Sequence, residues 1–215
     1  MKTEDFFYDL PERLIAQTPL KDRSSSKLLL LNRDSGNTKH EVFKNIIDYI
    51  DKNDVLVFNN TRVLPARLYG VKKDTGAHVE ILLLKRYSLK KWQVLVKPAK
   101  RLKKGTIVNF GEDLLLMNVL EEYDEGIRDV EFSYDGVFED IIAQIGFMPL
   151  PPYIKEKLQD KERYQTVYSK INGSSAAPTA GLHFTKELIS SLEEKGVQIE
   201  YLTLHVGLGT FRPVK

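Results

Sequence analysis

Trp92-Gln93-Val94-Leu95-Val96 is one of six short alternating or apolar runs that follow one another between residues 66 and 134. The others span 66–71, 78–84, 106–110, 114–120 and 128–134. Asp74-Thr75-Gly76, Lys104-Gly105 and Asp124-Glu125-Gly126 separate them with residues that turn the chain at low steric cost. Six short strands with no long helix among them predict a compact antiparallel sheet or barrel.

The flanks read differently. Upstream, 12–16 is a short helix or turn ended by Pro19, and 27–32 a buried-strand candidate followed by the turn Asp34-Ser35-Gly36-Asn37. Apolar residues at 42, 43, 46, 47 and 50 have helical spacing. Residues 54–58 form a short apolar strand, and Asn59-Asn60-Thr61-Arg62 a polar loop. Downstream, 138–145 reads as a helix, and Pro149, Pro151 and Pro152 mark a boundary. Helical character returns at 154–161 and 185–195, the second with Thr185 as N-cap and Gly196 as C-cap. Residues 198–205 alternate as a strand. The fold class expected is mixed α/β (α+β): a discontinuous α/β domain over 1–65 and 150–215, with an antiparallel β-barrel-like domain inserted over 66–149.

Composition narrows the chemistry. The 215 residues are 42% hydrophobic and 29% charged, ordinary for a soluble globular chain. There is no cysteine, which removes disulfides, thiolate catalysis and Cys-ligated zinc together. The acidic, aromatic N-terminus lacks the form of a signal peptide, and no apolar run is long enough to span a bilayer, so a cytoplasmic protein without membrane attachment is expected. Net charge is only +2, but residues 81–111 carry nine basic residues and no acid, while 112–140 carry eleven acids and one base, Arg128. The basic block suits phosphates; equally, it suits a lysine-rich sheet edge.

Two stretches combine small residues, a histidine and an aromatic: Ala176-Ala177-Pro178-Thr179-Ala180-Gly181-Leu182-His183-Phe184-Thr185 and Thr203-Leu204-His205-Val206-Gly207-Leu208-Gly209-Thr210-Phe211. Small residues let a ligand approach the backbone, and histidine moves protons near neutral pH. One site built from two loops is expected, with His183 and His205 as proton-transfer candidates and structural histidines as the alternative. Pro178, Thr179, Ala180 and Gly181 form a permissive loop whose amides could hold an anion. Gly207 and Gly209 could belong to a nucleotide loop or a tight turn after a strand; the third glycine and helix of a dinucleotide fingerprint are missing. Asn59, Asn60, Thr61, Arg62 and, five residues on, Arg67 offer donors and acceptors for a ribose, base or phosphate, or else a hydrogen-bonded corner. Tyr164, Gln165 and Thr166, with Val167 and Tyr168, are similarly polar and aromatic. Neither a His-Glu-x-x-His motif, a Gly-x-Ser-x-Gly elbow nor a carboxylate-rich metal cluster occurs, so metal-independent chemistry is expected.

Beyond these segments, the chain carries Asp9-Leu10-Pro11 with Leu14-Ile15-Ala16-Gln17, Arg23 with Ser26-Lys27-Leu28-Leu29, Phe58-Asn59-Asn60-Thr61-Arg62-Val63 with Pro65-Ala66-Arg67, Leu150-Pro151-Pro152-Tyr153-Ile154, and Tyr164-Gln165-Thr166-Val167-Tyr168. With the two histidine stretches, these resemble, in order and across nearly the whole chain, the S-adenosylmethionine:tRNA ribosyltransferase-isomerase family of queuosine biosynthesis. The chain departs at Ser175, where the family more often has valine, and at its end: the family continues well beyond Phe211-Arg212-Pro213-Val214, whereas this chain stops at Lys215. The resemblance thus implies a C-terminally incomplete α/β domain. It also implies transfer and isomerisation of the ribosyl group of S-adenosylmethionine onto 7-aminomethyl-7-deazaguanine at the wobble position of tRNA, releasing adenine and methionine. S-adenosylmethionine is then a cosubstrate, with no prosthetic group, and a monomer is favoured. The same resemblance would place Asn59 to Arg62, Arg67, Tyr164 to Thr166, Pro178 to Gly181, Gly207, Gly209 and Thr210 around the substrates. The competing readings are a non-catalytic RNA-binding fragment, using the basic block with Trp92 as a stacking surface, and another nucleoside-handling enzyme on this scaffold.

Overall fold

The computed structural model describes residues 2–156 and 158–211. Two compact units emerge, one from the segments up to Arg62 and from Pro151 to Val206, the other from Val63 to Leu150 with Gly207–Gly209. Among the described residues, no helix is long and apolar enough to cross a membrane.

In the first unit, β1 (Lys27–Leu31) and β2 (Thr38–Val42) pair antiparallel. Asn32 Oδ1 accepts the amides of Asp34 and Ser35, and Gly36 closes the turn at φ +70°. β1 is not the buried strand expected: Leu29 and Leu31 face outward, because a two-stranded hairpin covers only one of its faces. The apolar spacing over 42–50 forms a 3-10 helix, Phe43–Tyr49. β3 (Val55–Asn59) and β4 (Thr61–Val63) correct the expected polar loop: Asn59 ends one strand and Thr61 begins the next.

The six expected strands are β5 (Arg67–Lys72), β6 (His78–Arg86), β7 (Lys91–Lys97), β8 (Ile107–Phe110), β9 (Leu115–Glu122) and β10 (Ile127–Ser133). They close a barrel in the order β10-β7-β6-β5-β8-β9, with antiparallel neighbours throughout. Alternation fills the interior: Trp92, Val94 and Val96 of β7 meet Val130 and Phe132 of β10 and Leu115, Met117 and Val119 of β9. Gly70 admits Phe110, whose ring would lie 2.5 Å from a β-carbon there. α1 (Phe138–Ile145) lays Phe138, Ile141 and Ile142 on this core, Phe138 packing 5.3 Å from Trp92 and 5.4 Å from Phe132. Arg128 is buried, its guanidinium donating to the carbonyls of Leu102, Tyr123, Ile127 and Ala99.

This topology changes the meaning of two sequence features. Basic and acidic blocks adjacent in sequence are brought face to face: Lys104 pairs with Glu121, Lys103 with Glu122 and Arg86 with Glu139 of α1, and Lys91 stands opposite Glu131, while Lys97 stands opposite Glu80 of β6. Trp92, 5% exposed, belongs to the barrel core and cannot be the stacking platform of the RNA-binding reading.

The remaining elements return to the first unit: β11 (Ile171–Ser174), α2 (Lys186–Glu194) and β12 (Gln198–Leu202). Among the described residues, no helix forms over 154–156 or 158–160; Ile154 and Leu158 are too few to give a buried stripe, and the 3-10 turn Lys161–Tyr164 follows, capped by Asp160. α2 starts where Thr185 Oγ1 accepts the Leu188 amide and is followed by Gly196 at φ +91°. Its Leu188, Ile189 and Leu192 pack with Phe43, Phe58 and Phe184 into the unit's own core. β12 lies parallel to β3, Gln198 opposite Val55 and Leu202 opposite Asn59. The strand expected over 198–205 stops at Leu202 because β3 ends there.

Candidate active site

Parallel β3 and β12 end side by side, and ligands of α/β sheets bind beyond such carboxyl ends. The residues leaving these two strands are Asn60-Thr61-Arg62 and Thr203-Leu204-His205. Asn59 Oδ1 accepts the Leu204 amide at 3.0 Å, and its Nδ2 donates to the Leu204 carbonyl at 2.8 Å. Asn60 Oδ1 accepts from Thr203 Oγ1 at 2.6 Å. The corner reading therefore applies to Asn59, whose amide group is engaged on both sides by the chain.

This corner holds His205. Its Nδ1 lies 2.8 Å from Oγ1 of Thr61, a residue only 1% exposed. The opposite edge of the ring lies over Gly173, where a β-carbon would approach Nε2 and Cε1 to 2.6 Å. Glycine thus makes the room that the ring itself occupies. Ser174 Oγ accepts the Val206 amide at 2.9 Å and donates to the Ala176 carbonyl at 2.7 Å, fastening the next residue as well. Rather than sitting on a strand, His205 is exposed in a segment pinned from both sides.

His183 is held in a second way. Residues 179–183 form a 3-10 turn rather than the permissive loop expected, with the Gly181 amide already donated to the Pro178 carbonyl at 2.9 Å. Gly181 is needed for space, not for an unusual backbone angle: a β-carbon there would lie 2.1 Å from Tyr168 Oη. Tyr168 stacks on Phe58 at 4.6 Å, and burial, reinforced by Tyr201, pushes its hydroxyl up to about 12, so it stays protonated. The His183 ring packs 5.2 Å from Phe43, and its Nδ1 lies 2.9 Å from Ser26 Oγ. Burial, then the positive charges of Arg163 and Arg23, hold His183 below the ordinary imidazole range, while the Arg23 carbonyl opposes them. The ring is therefore kept neutral, the form that accepts a proton.

Arg62 connects with this second group. It binds the Glu162 carboxylate and donates to Ser169 Oγ at 3.0 Å. The Glu162 carbonyl accepts Arg23 Nη2 at 2.9 Å, and Arg23 Nη1 reaches the Leu182 carbonyl at 3.1 Å. Tyr164, Gln165 and Thr166 are buried in the same unit. Burial raises the Tyr164 hydroxyl despite the nearby Ala177 amide.

The other expected residues lie elsewhere. Arg67 belongs to the second unit, on β5, ion-paired with Glu80 at 3.2 Å. Gly207 and Gly209 have open space around them and do not directly follow a strand; a 3-10 turn over Leu208–Phe211 includes Thr210. Arg212 to Lys215 lie outside the described residues. Gly173, Ser174 and Glu162 were missed because their types carry no chemical signature; Arg23 and Ser26 stood in a quoted motif without a role.

The chain is similar to known proteins over nearly its whole length. The family model for queuosine biosynthesis proteins matches residues 3–215. The S-adenosylmethionine:tRNA ribosyltransferase-isomerase of Clostridioides difficile (strain 630) is 59% identical over 215 residues, which are 100% of this chain and 63% of that protein. The crystal structure of S-adenosylmethionine tRNA ribosyltransferase from Thermotoga maritima is similar at 35% identity, over 95% of this chain and 59% of that one, with a TM-score of 0.39. The chain therefore spans less than two thirds of the length of these relatives.

Proposed function

This chain belongs to the queuosine biosynthesis protein family, and we propose on that premise that it carries part of an S-adenosylmethionine:tRNA ribosyltransferase-isomerase. In this reading the whole enzyme moves the ribosyl group of S-adenosylmethionine, with isomerisation, onto 7-aminomethyl-7-deazaguanine in tRNA. Epoxyqueuosine-tRNA, adenine and methionine are the products. The 59% identity to a protein named for both substrates supports them.

The sulfonium acidifies the neighbouring C5′ hydrogens. A base takes one, the resulting ylide rearranges and expels adenine, the aminomethyl nitrogen attacks the sugar and gives up a proton, and closure of the epoxide breaks the carbon–sulfur bond so that methionine leaves. Such a sequence needs a neutral acceptor for the first proton and a donor for the departing base. His183, kept neutral by burial and two arginines, suits the acceptor. His205, exposed, steadied on Thr61 and seated against Gly173, suits the second transfer. Thr61 then serves His205 rather than substrate, and Arg62 remains a candidate contact for nucleoside or tRNA.

The observation that carries this reading is that both histidines are fixed through Nδ1 by a hydroxyl, Ser26 for one and Thr61 for the other. Its test uses the chain extended to the length of its relatives. With precursor tRNA and S-adenosylmethionine, epoxyqueuosine and adenine are measured by mass spectrometry. His183→Ala and His205→Ala should each cost at least about 100-fold in turnover. Near-normal turnover in both, with intact folding, would remove the acid–base roles.

A further inference from the structure

Ser26 is half-buried and belongs to none of the expected site residues, yet its hydroxyl meets His183 Nδ1, on a ring that the Arg23 carbonyl also acts on. Its hydroxyl has one hydrogen and lies between two groups: His183 Nδ1 at 2.9 Å and the Arg23 carbonyl at 3.1 Å. A carbonyl oxygen can only accept, so both contacts are hydrogen bonds together only when the Ser26 hydrogen goes to Arg23. In that arrangement the Ser26 oxygen is an acceptor toward the ring, and Nδ1 carries the imidazole proton. Arg23 is itself held in place, its two Nη atoms donating to the Leu182 and Glu162 carbonyls at 3.1 and 2.9 Å. The relay therefore ends on a rigid main-chain acceptor.

We propose that Ser26 is a positioning residue that fixes His183 as the Nδ1–H tautomer, making Nε2 the lone-pair nitrogen that takes the substrate proton. The first clause stands on geometry alone; the second rests on the reading of His183 as the base. The arrangement does for a Ser–His pair what a second-shell acceptor does for other working histidines: it fixes tautomer and ring orientation together. Nothing moves covalently at Ser26. During proton abstraction Nε2 gains the substrate proton, the ring becomes an imidazolium, and Ser26 and the Arg23 carbonyl stabilise the Nδ1–H side of that charge.

Imidazole nitrogen NMR tests the two clauses separately. The chain has only four histidines, so the 15N-labelled 215-residue protein is tractable, with His183→Gln assigning the signal. The wild-type His183 should show a protonated Nδ1 and a lone-pair Nε2. Ser26→Ala should shift the ring toward the opposite tautomer, and Ser26→Thr, which keeps the hydroxyl, should restore the wild-type pattern. An Nε2–H ring in the wild type, or an unchanged pattern in Ser26→Ala, would overturn the tautomer assignment. In the extended enzyme, Ser26→Ala should lower kcat about 10- to 100-fold with KM little changed, and Ser26→Thr should recover most of it. A tautomer shift in Ser26→Ala with unaltered kcat would instead overturn His183 as the base.

Discussion

The imidazole of His205 rests directly on Gly173, so closely that a single added methyl group would meet Nε2 at 2.6 Å. Gly173→Ala is therefore a probe of the ring's position. With φ at +151°, the alanine is also strained. The expected outcome is a stability loss of about 1–2 kcal/mol, because the exposed ring can swing aside. Turnover should fall on the order of 100-fold, since displacement of a reacting group by an ångström has that effect. Urea denaturation and product formation in the extended enzyme check the two parts.

Stability should depend on the protonation of His183. Its folded pKa lies below the ordinary 6.5. As pH falls through 6.5, the unfolded chain takes up the proton first, so stability is full above that pH and declines toward the lowered folded value. Below the folded value, this contribution is flat. His183→Gln should remove that part of the slope, which a series of urea midpoints across the range would show.

Gly181 and Tyr168 form a second steric pair. Gly181→Ala places a β-carbon 2.1 Å from Tyr168 Oη and should destabilise by about 1–3 kcal/mol. Adding Tyr168→Phe removes the clashing oxygen while keeping the ring stacked on Phe58, so part of the loss should return. Thermal unfolding of the single and double variants measures the coupling; strictly additive losses would refute the contact.

Arg62 separates binding from folding. Its partly exposed pair with Glu162 should contribute no more than about 1 kcal/mol, so Arg62→Ala should leave the protein folded. Weakened affinity for tRNA or S-adenosylmethionine, measured by calorimetry on the extended chain, is the expected result. Unchanged affinity for both would remove Arg62 from the site.

The barrel's charges divide into matched and unmatched groups. Lys103 and Lys104 face acids across their hairpin, whereas Lys100 and Arg101 are exposed on the turn after β7. If that turn meets the tRNA backbone, Lys100→Glu with Arg101→Glu should lower tRNA affinity and reduce the salt slope by about 2. Trp92→Ala should instead destabilise the barrel by about 3–5 kcal/mol, as expected for a core aromatic. Salt titrations of binding and urea melts distinguish the two.

Local pattern and composition revealed a great deal here. The alternation in 92–96 and its neighbours specified strands, because a strand with one face in a core must repeat every two residues. Thr185 and Gly196 marked both ends of α2 through capping chemistry that needs no distant partner. The two histidines were visible by type and setting. What local pattern could not supply were relationships between residues far apart in the chain, from 32 to 157 positions. Ser26 meets His183, Thr61 meets His205, and Gly173 yields its side-chain space to that ring only once β3 and β12 lie parallel and the chain between them has folded back. Likewise, Trp92 looked like a surface aromatic beside lysines until barrel closure turned it inward. Side-chain type is written in the chain; which hydroxyl faces which nitrogen is settled by packing, and here that pairing determines which nitrogen of His183 holds its proton.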